Sequence, residues 1–365
     1  MGICLLLSYL LPYISPTVFP TFAIGSLLVP ILIIINLCFV IFWVISLKRQ
    51  FILSTLILIL GWFVMPNIYK FSDNKSSLND DIKVMSYNVR MFNFWNWIDD
   101  ANILNKIKSF IKKQTPDILL IQECYEFNNI SYPYKYIKPT EHNVKVGLAI
   151  YSKFPIIHQG SFDFKNTSNN IIFADIVRKK DTIRVYNFHL QSLGLKADKE
   201  NFGEENSQKV IKSLAEGFKK QAYQAKLFMQ HEKKWKGKKI IGGDFNNTSY
   251  SWVYNQISKD KKDAFIEAGK GFGKTFNYWF PMRIDFILTD ENAIINNNIQ
   301  TRQSSASQTS TAFGANYKRL WSEKLSSDIN IYNTDYQLKA INANVLSIYF
   351  STIAVFSGIF LVRIS

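Results

Sequence analysis

The chain has 365 residues, a formal net charge of +15 and only three cysteines. That length holds one globular domain of roughly 200 to 250 residues with material left for other segments. Cys4 and Cys38 lie in uncharged apolar sequence and Cys124 stands alone in the polar part, which excludes a disulfide framework or a cysteine zinc site.

No charged residue occurs between Met1 and Leu47, and after Lys48 and Arg49 a second uncharged stretch runs from Phe51 to Tyr69. A membrane-spanning helix needs about 20 mostly apolar residues. Phe22–Leu47 supplies one, with Pro30 as a tolerated kink, and Phe51–Tyr69 supplies a second. Met1–Tyr13 is apolar but short, and reads as a clipped first helix in preference to a re-entrant piece. No basic leader with a small-residue cleavage site is evident, so the anchor is expected to be retained. Lys48 and Arg49 in the turn favour the cytoplasmic side, which places the following domain outside the cytoplasm, on the periplasmic face of an inner membrane. These two residues account for +2 of the charge and leave +13 to the remainder. Such a basic domain suits polyanions, nucleic acid or anionic lipid head groups, and equally a solvated lysine-rich surface.

Residues 70–80 are polar and read as a linker. Ile82–Tyr87 has the apolar run of a buried strand, and Asp99–Lys113 places Ile103, Ile107, Phe110 and Ile111 on one helical face before Pro116 stops it. Strands follow at Asp117–Gln122 and Val146–Tyr151, and Ile171–Val177 with Thr182–His189 reads as a hairpin. Glu204–His231 is a long amphipathic helix, and Lys239–Gly243 and Arg283–Leu288 are further strands. Helices and strands mix without strict alternation, which favours an α+β fold of packed sheets covered by helices. Asn292–Ser310 shows no period and reads as loop or disorder. Val345–Val362 is uncharged and just long enough to be considered as another span. The expected organisation is an anchor over 1–69, a linker over 70–80, a catalytic domain over 81–290 and an atypical tail over 291–365.

Five motifs set polar residues at strand ends: Ser86-Tyr87-Asn88, Gln122-Glu123, Asn187-Phe188-His189, Gly243-Asp244-Phe245-Asn246 and Arg283-Ile284-Asp285. A hard divalent cation such as Mg²⁺ takes oxygen ligands, one or two carboxylates with water and substrate phosphate. Glu123 is the best-placed carboxylate, with the Asn88 amide beside it. Phosphoester hydrolysis also needs donors for developing charge and a group that activates water, tasks open to His189, Asn246 and Asp244. Taken singly, each is more often a turn former, a helix cap or a structural histidine.

Taken in order, Ser-Tyr-Asn-Val, Ile-Gln-Glu, Asn-Phe-His-Leu, Gly-Gly-Asp-Phe-Asn and Arg-Ile-Asp-Phe-Ile resemble the hallmarks of the deoxyribonuclease I-like endonuclease/exonuclease/phosphatase superfamily. The layout, with hydrophobic helices ahead of the domain, resembles a membrane-anchored bacterial branch. The resemblance spans Asp81 to about Leu288 and implies a four-layer α/β/β/α sandwich of two central sheets. It implies that Asn88 and Glu123 bind Mg²⁺ (Mn²⁺ as a substitute) and that His189 contacts or protonates the phosphate. Asp244 would orient the attacking water, Asn246 would hold phosphate, and Asp285 would support a later histidine.

That later histidine is absent. The family's last motif, Ser-Asp-His, has Ser327-Asp328-Ile329 as its partial counterpart, and the four histidines, His142, His158, His189 and His231, all precede Asp285. Loss of a positioned general base costs about 10² to 10⁴ in rate. Two accounts are open, decay into a non-catalytic form or a reading-frame change near Asn292, and the unpatterned stretch beginning there favours the second.

The function expected is metal-dependent hydrolysis of a phosphodiester or phosphomonoester: nucleic acid, a phospholipid head group or a small phosphate ester. Phe92, Phe94, Trp95, Trp97, Tyr278 and Trp279 could stack on bases or dip into a bilayer surface, though such residues are more often core. The alternative is a catalytically inactive membrane-tethered module that binds phosphate or nucleic acid. No protein partner is inferred.

Overall fold

The computed structural model describes residues 1–66, 69–71, 81–96, 98–126, 130–140, 145–194, 204–277, 281–302 and 358–364, with backbone alone at 204–206, 281, 296–302 and 358–364. Four helices come first: α1 (Gly2–Ser8), α2 (Pro20–Ala23), α3 (Gly25–Ile45) and α4 (Phe51–Val64). α2 and α3 run together as one helix, Pro20–Ile45, of 26 residues and mean hydropathy 3.0, and it is the helix among the described residues that is long and apolar enough to cross a membrane. Its length of about 39 Å exceeds the roughly 30 Å of a bilayer's hydrocarbon core.

The second expected span is shorter than the sequence pattern. α4 has 14 residues and ends at Met65, whose φ of −112° and ψ of 151° are extended. Pro66 follows, and a proline disfavours helical backbone in the residue before it. α4 therefore reaches only about 21 Å. Asn36 of α3 is buried, and its Oδ1 accepts from Ser54 Oγ of α4 at 3.5 Å, so these two polar groups of the hairpin meet each other.

The polar part alternates less regularly. In chain order it comprises β1 (Ile82–Asn88), α5 (Ile103–Gln114), β2 (Ile118–Tyr125), β3 (Tyr134–Pro139), β4 (Val146–Ser152), β5 (Ile156–Ser161), β6 (Asn170–Arg178) and β7 (Asp181–His189). There follow α6 (Glu204–Glu232), β8 (Lys238–Asp244), α7 (Trp252–Ile257), β9 (Lys261–Asp263), α8 (Ala264–Ala268), β10 (Phe276–Asn277), β11 (Pro281–Met282), β12 (Asp285–Asp290), β13 (Ile295–Arg302) and β14 (Gly358–Ile364). One sheet has the order β13-β14-β1-β2-β4-β3, the other β5-β6-β7-β8-β12-β9, and β10-β11 form a small pair.

Alternation along the strands builds the layers. Val84, Ile118, Leu120 and Ile150 of the first sheet meet Ile172, Val185, Ile240 and Ile287 of the second in one buried cluster between them. The opposite face of the first sheet, Met85, Tyr87, Leu119 and Ile121, packs on Ile103, Ile107, Phe110 and Ile111 of α5. The opposite face of the second, Phe173, Tyr186, Phe188 and Ile241, packs on Ala222, Ala225 and Phe228 of α6 and on α7. Two sheets with helices on their outer faces result, in a mixed α/β fold.

The segment expected as loop after Asn292 contains strand β13, with Ile295 buried. As an edge strand with one neighbour it is held by backbone pairing with β14, for which an apolar period is unnecessary. β14 fills the position between β13 and β1, pairing antiparallel from Ile82↔Ile364 to Tyr87↔Ile359. The end of the apolar stretch considered as a span therefore lies in a sheet, while residues 345–357 fall outside the described residues.

Candidate active site at the joined sheet edges

Parallel pairing gathers the motifs. In the first sheet β1 and β2 run parallel with Asn88 opposite Gln122, and in the second β7 and β8 run parallel with His189 opposite Asp244. β12 is antiparallel to β8 and sets its first residue, Asp285, opposite Asp244. Asp285 thus opens its strand, two residues after the start at Arg283 that the sequence pattern gives. Asn170 of β6 lies opposite His189, so Asn170, His189, Asp244 and Asp285 form one row across the edge.

Asn88 ties the two sheets. Its Nδ2 donates to Glu123 Oε1 at 3.1 Å and to Asp244 Oδ2 at 3.0 Å, while its Oδ1 accepts from the Arg90 N–H at 3.0 Å. Glu123 has a positive φ of 50° at the point where the β2–β4 register shifts between Ile121 and Cys124. This bulge re-aims the side chain, a common use of bulges next to active sites. His189 Nε2 lies 3.6 Å from Glu123 Oε1. The Asn246 N–H donates to Asp244 Oδ1 at 2.7 Å and its Nδ2 to the Leu190 carbonyl at 2.9 Å. Asn246 also holds a positive φ of 50°, which asparagine tolerates better than most residues.

Burial pushes the Asp244 carboxyl above the usual range; His189, the Asn88 amide and the Asn246 N–H pull the other way, and Glu123 adds to the rise. Asp285 is raised well above it, first by burial and then by Asp244. Its Oδ1 is buried with no hydrogen-bond partner among the described residues, at the residue from which the resemblance asks support of a histidine. The sequence leading into β14, Ser351–Ser357, carries no ionisable side chain.

Several further groups support the candidate site. Gln122 Nε2 donates to Ser86 Oγ at 3.2 Å and to Asn187 Oδ1 at 2.6 Å, and Asn187 Nδ2 donates to the carbonyls of Ile121 and Ala149. These residues belong to the motifs but act as a clamp between the sheets. Thr275 Oγ1 accepts from the N–H groups of Ile284 and Asp285. Gln221 donates to the Gln191 carbonyl at 2.7 Å and accepts from Asn247 Nδ2 at 2.6 Å, and Gln224 accepts from the Gln191 N–H at 2.9 Å. Two glutamines three residues apart on the buried face of α6 were the available signal for that support.

Phe92 is buried, as core reasoning expects, whereas Phe94 and Trp95 are exposed and Phe94 stacks on Tyr125 at 4.1 Å between centroids. Trp97, Tyr278 and Trp279 lie outside the described residues. Among the described residues no group of three or more His, Cys, Asp or Glu side chains gathers to hold a metal ion. Mg²⁺ is often held by one or two carboxylates with water and substrate oxygens, so Glu123 alone fits as an anchoring ligand. Asn88 fits less directly, because its nitrogen is turned to the two carboxylates and its oxygen to Arg90. Two acceptors brought so close require a donor between them, and the amide supplies it.

Residues 85–301, more than half of the chain, match the Endonuclease/Exonuclease/phosphatase family. The chain belongs to this family. Residues 1–68 match a domain of unknown function, DUF8431. Among solved structures, truncated TDP2 of Caenorhabditis elegans is 17% identical, with 62% of this chain and 89% of that one covered at a TM-score of 0.43. The mannosyl-6-phosphatase Bt3783 of Bacteroides thetaiotaomicron VPI-5482 is 15% identical, covering 61% and 91% at 0.44. An endonuclease/exonuclease/phosphatase family protein from Leptotrichia buccalis C-1013-b is 16% identical, covering 60% and 92% at 0.42. No curated protein matches the chain. Endonuclease/Exonuclease/phosphatase membership supports hydrolase activity in general, on a nuclease- or phosphoesterase-like fold.

Proposed function

We propose that this chain is a membrane-tethered, Mg²⁺-dependent phosphoesterase that hydrolyses a phosphodiester or phosphomonoester outside the cytoplasm. The observation that carries the reading is the meeting of Asn88 and Glu123 from one sheet with His189 and Asp244 from the other, within hydrogen-bond or ion-pair reach. Glu123 would hold the ion, Mg²⁺ or in its place Mn²⁺, with the Asn88 amide oxygen after the amide turns. Bound there, the ion supplies positive charge that neutralises phosphoryl oxygens as negative charge develops.

The residues themselves do the rest. His189 reaches the phosphate as a donor, Asn246 holds phosphate beside it, and Asp244 orients water. Asp285, without its histidine, retains only a packing role, so turnover is slower than in a site with a positioned base by about 10² to 10⁴. The tether is the helix Pro20–Ile45 with its shorter neighbours, as in the anchor-first layout of a bacterial branch, over residues 1–69. The catalytic domain begins at residue 81 after a linker over 70–80, and the tail from 291 adds strands to its first sheet.

The test is p-nitrophenol release from bis(p-nitrophenyl) phosphate by the full chain in detergent micelles, with Mg²⁺ and with excess chelator. Release that chelation stops and Mg²⁺ restores supports the reading; no release at any Mg²⁺ concentration overturns it. The second reading, an inactive module that binds phosphate esters, is favoured by the unpartnered Asp285 Oδ1 and predicts binding of the same diester without turnover.

A further inference from the structure

The strand ends that carry the site run directly into the packing that holds the N-terminal helices. The loop after His189 brings Leu193, and the segment before Asp285 brings Met282 and Ile284, into one buried cluster with Ala23 and Leu27. The loop after Asp244 brings Thr248, whose Oγ1 donates to the Ser26 carbonyl at 3.4 Å, and Tyr250, which is buried against Val29, Ile57 and Met65. Leu193 and Thr248 each lie four residues past a site residue, at most about 14 Å of extended chain, so the helices are met close to the site. Apart from Ile57 in the middle of α4, these contacts fall on α2, on the first turns of α3 and just past the end of α4. The Lys48–Arg49 turn lies at the other end of both helices, so the hairpin leads away from the site-bearing edge and that edge faces the surface the hairpin enters.

The same edge is dressed for a lipid surface. Phe94 and Trp95, 47% and 61% exposed, follow β1 on the sheet opposite the anchor. Beside the exit of α4, Lys70 pairs with Gly271, Tyr69 packs edge-on against Phe272 at 4.9 Å, and Phe71 and Phe272 are 84% and 55% exposed. Aromatic rings gather at the membrane–water boundary. α6, against which α2 docks, exposes Lys209, Lys212, Lys219 and Lys220, and its Lys226 Nζ donates to Thr17 Oγ1 at 3.3 Å, within the anchor. Lysines at that level draw anionic head groups.

We propose that the bilayer holding the anchor also presents the substrate. The site takes the phosphate of an anionic lipid head group at the lipid surface, and Phe94 and Trp95 enter that surface on the side of the site away from the helices. This rests on the tethered phosphoesterase reading above. In the reaction a water oxygen bonds to phosphorus as a P–O ester bond breaks; the leaving alcohol takes one proton of the water and phosphorus keeps the hydroxyl.

The experiment uses the full chain in phosphatidylcholine vesicles containing phosphatidylglycerol, with bis(p-nitrophenyl) phosphate as the soluble comparison. The double variant Phe94→Ser, Trp95→Ser is expected to lose about tenfold or more on the lipid, the loss that follows when apolar side chains stop being buried, and to keep its rate on the soluble diester. Turnover of the soluble diester with no lipid phosphate released, or equal losses on both, overturns the proposal. A second readout is independent of catalysis. An environment-sensitive dye on Trp95→Cys, with Cys4→Ser and Cys38→Ser removing the exposed thiols, is expected to be quenched by lipids carrying a shallow nitroxide. An unquenched dye overturns the placement. If the wild-type chain hydrolyses neither compound, the phosphoesterase reading fails, and the dye alone decides whether the site edge lies on the bilayer.

Discussion

Asn88 Nδ2 donates to Asp244 Oδ2 at 3.0 Å, joining the ends of two sheets across 156 positions of sequence. The same nitrogen holds Glu123 at 3.1 Å, so one amide sets the spacing of both carboxylates. Asn88→Ala removes the donor and leaves a buried acceptor on Asp244 unpaired, at a cost of about 1 to 3 kcal/mol. Thermal unfolding followed by circular dichroism should show that loss, and diester hydrolysis should fall by at least about tenfold as the carboxylates lose their positions. A variant with unchanged melting and rate would show that the amide does not organise the site.

Gly243 is required by a backbone crossing. Its φ is +137°, and a Cβ there would lie 2.1 Å from the Phe188 carbonyl oxygen on the neighbouring strand. Gly243→Ala should therefore push β8 away from β7 and break the pairing of His189 with Asp244. A loss above about 4 kcal/mol is expected, which marks a named steric mechanism and not an ordinary surface effect. Melting within about 2 °C of wild type would contradict the register described.

Asp285 supplies a pH dependence with a definite sign. Burial and Asp244 raise its carboxyl well above the usual range, so the folded chain keeps a proton that the unfolded chain releases. Stability then falls as pH rises from the ordinary carboxylate value, about 4, through the raised one. Asp285→Asn cannot ionise, and in the presence of chelator it should be more stable than wild type at neutral pH. The difference should close on acidification below about pH 4, where the unfolded carboxyl is also protonated. A difference that stays constant from acid to neutral pH would remove burial of the charge as its cause.

Much of this was legible in the sequence because the site residues sit at strand ends whose apolar runs are unmistakable. Ile82–Asn88, Ile118–Tyr125, Asp181–His189 and Lys238–Asp244 lie where the period-two and buried-run patterns put them, within three residues at each end. β3, with its exposed tyrosine and lysine, and β5, with His158 and Gln159, were missed because edge strands need not be apolar. The extent of α4 was overestimated because hydropathy does not register the stop that Pro66 imposes. Which amide nitrogen faces which carboxylate, and the support of Asp285 by Thr275, depend on contacts between distant segments and have no local trace.

The placement of β14 bears on the tail. It pairs with β1 over Ile82–Tyr87 and with β13 on its other side. Ending the chain at Ser357 would leave β1 with an unpaired edge in the middle of its sheet, a template for aggregation. Lower melting and self-association on size-exclusion chromatography are expected. A truncated chain that melts and elutes as the full one does would mean the tail is foreign to the fold, as a frame change near Asn292 would make it.

The most direct test of the account compares single-turnover hydrolysis of bis(p-nitrophenyl) phosphate by the full chain, Glu123→Gln and His189→Ala across a Mg²⁺ titration. Wild type should respond to Mg²⁺, Glu123→Gln should shift or abolish that response, and His189→Ala should keep it while losing about 10²-fold or more in rate. Equal rates and equal Mg²⁺ dependence in all three would contradict the account.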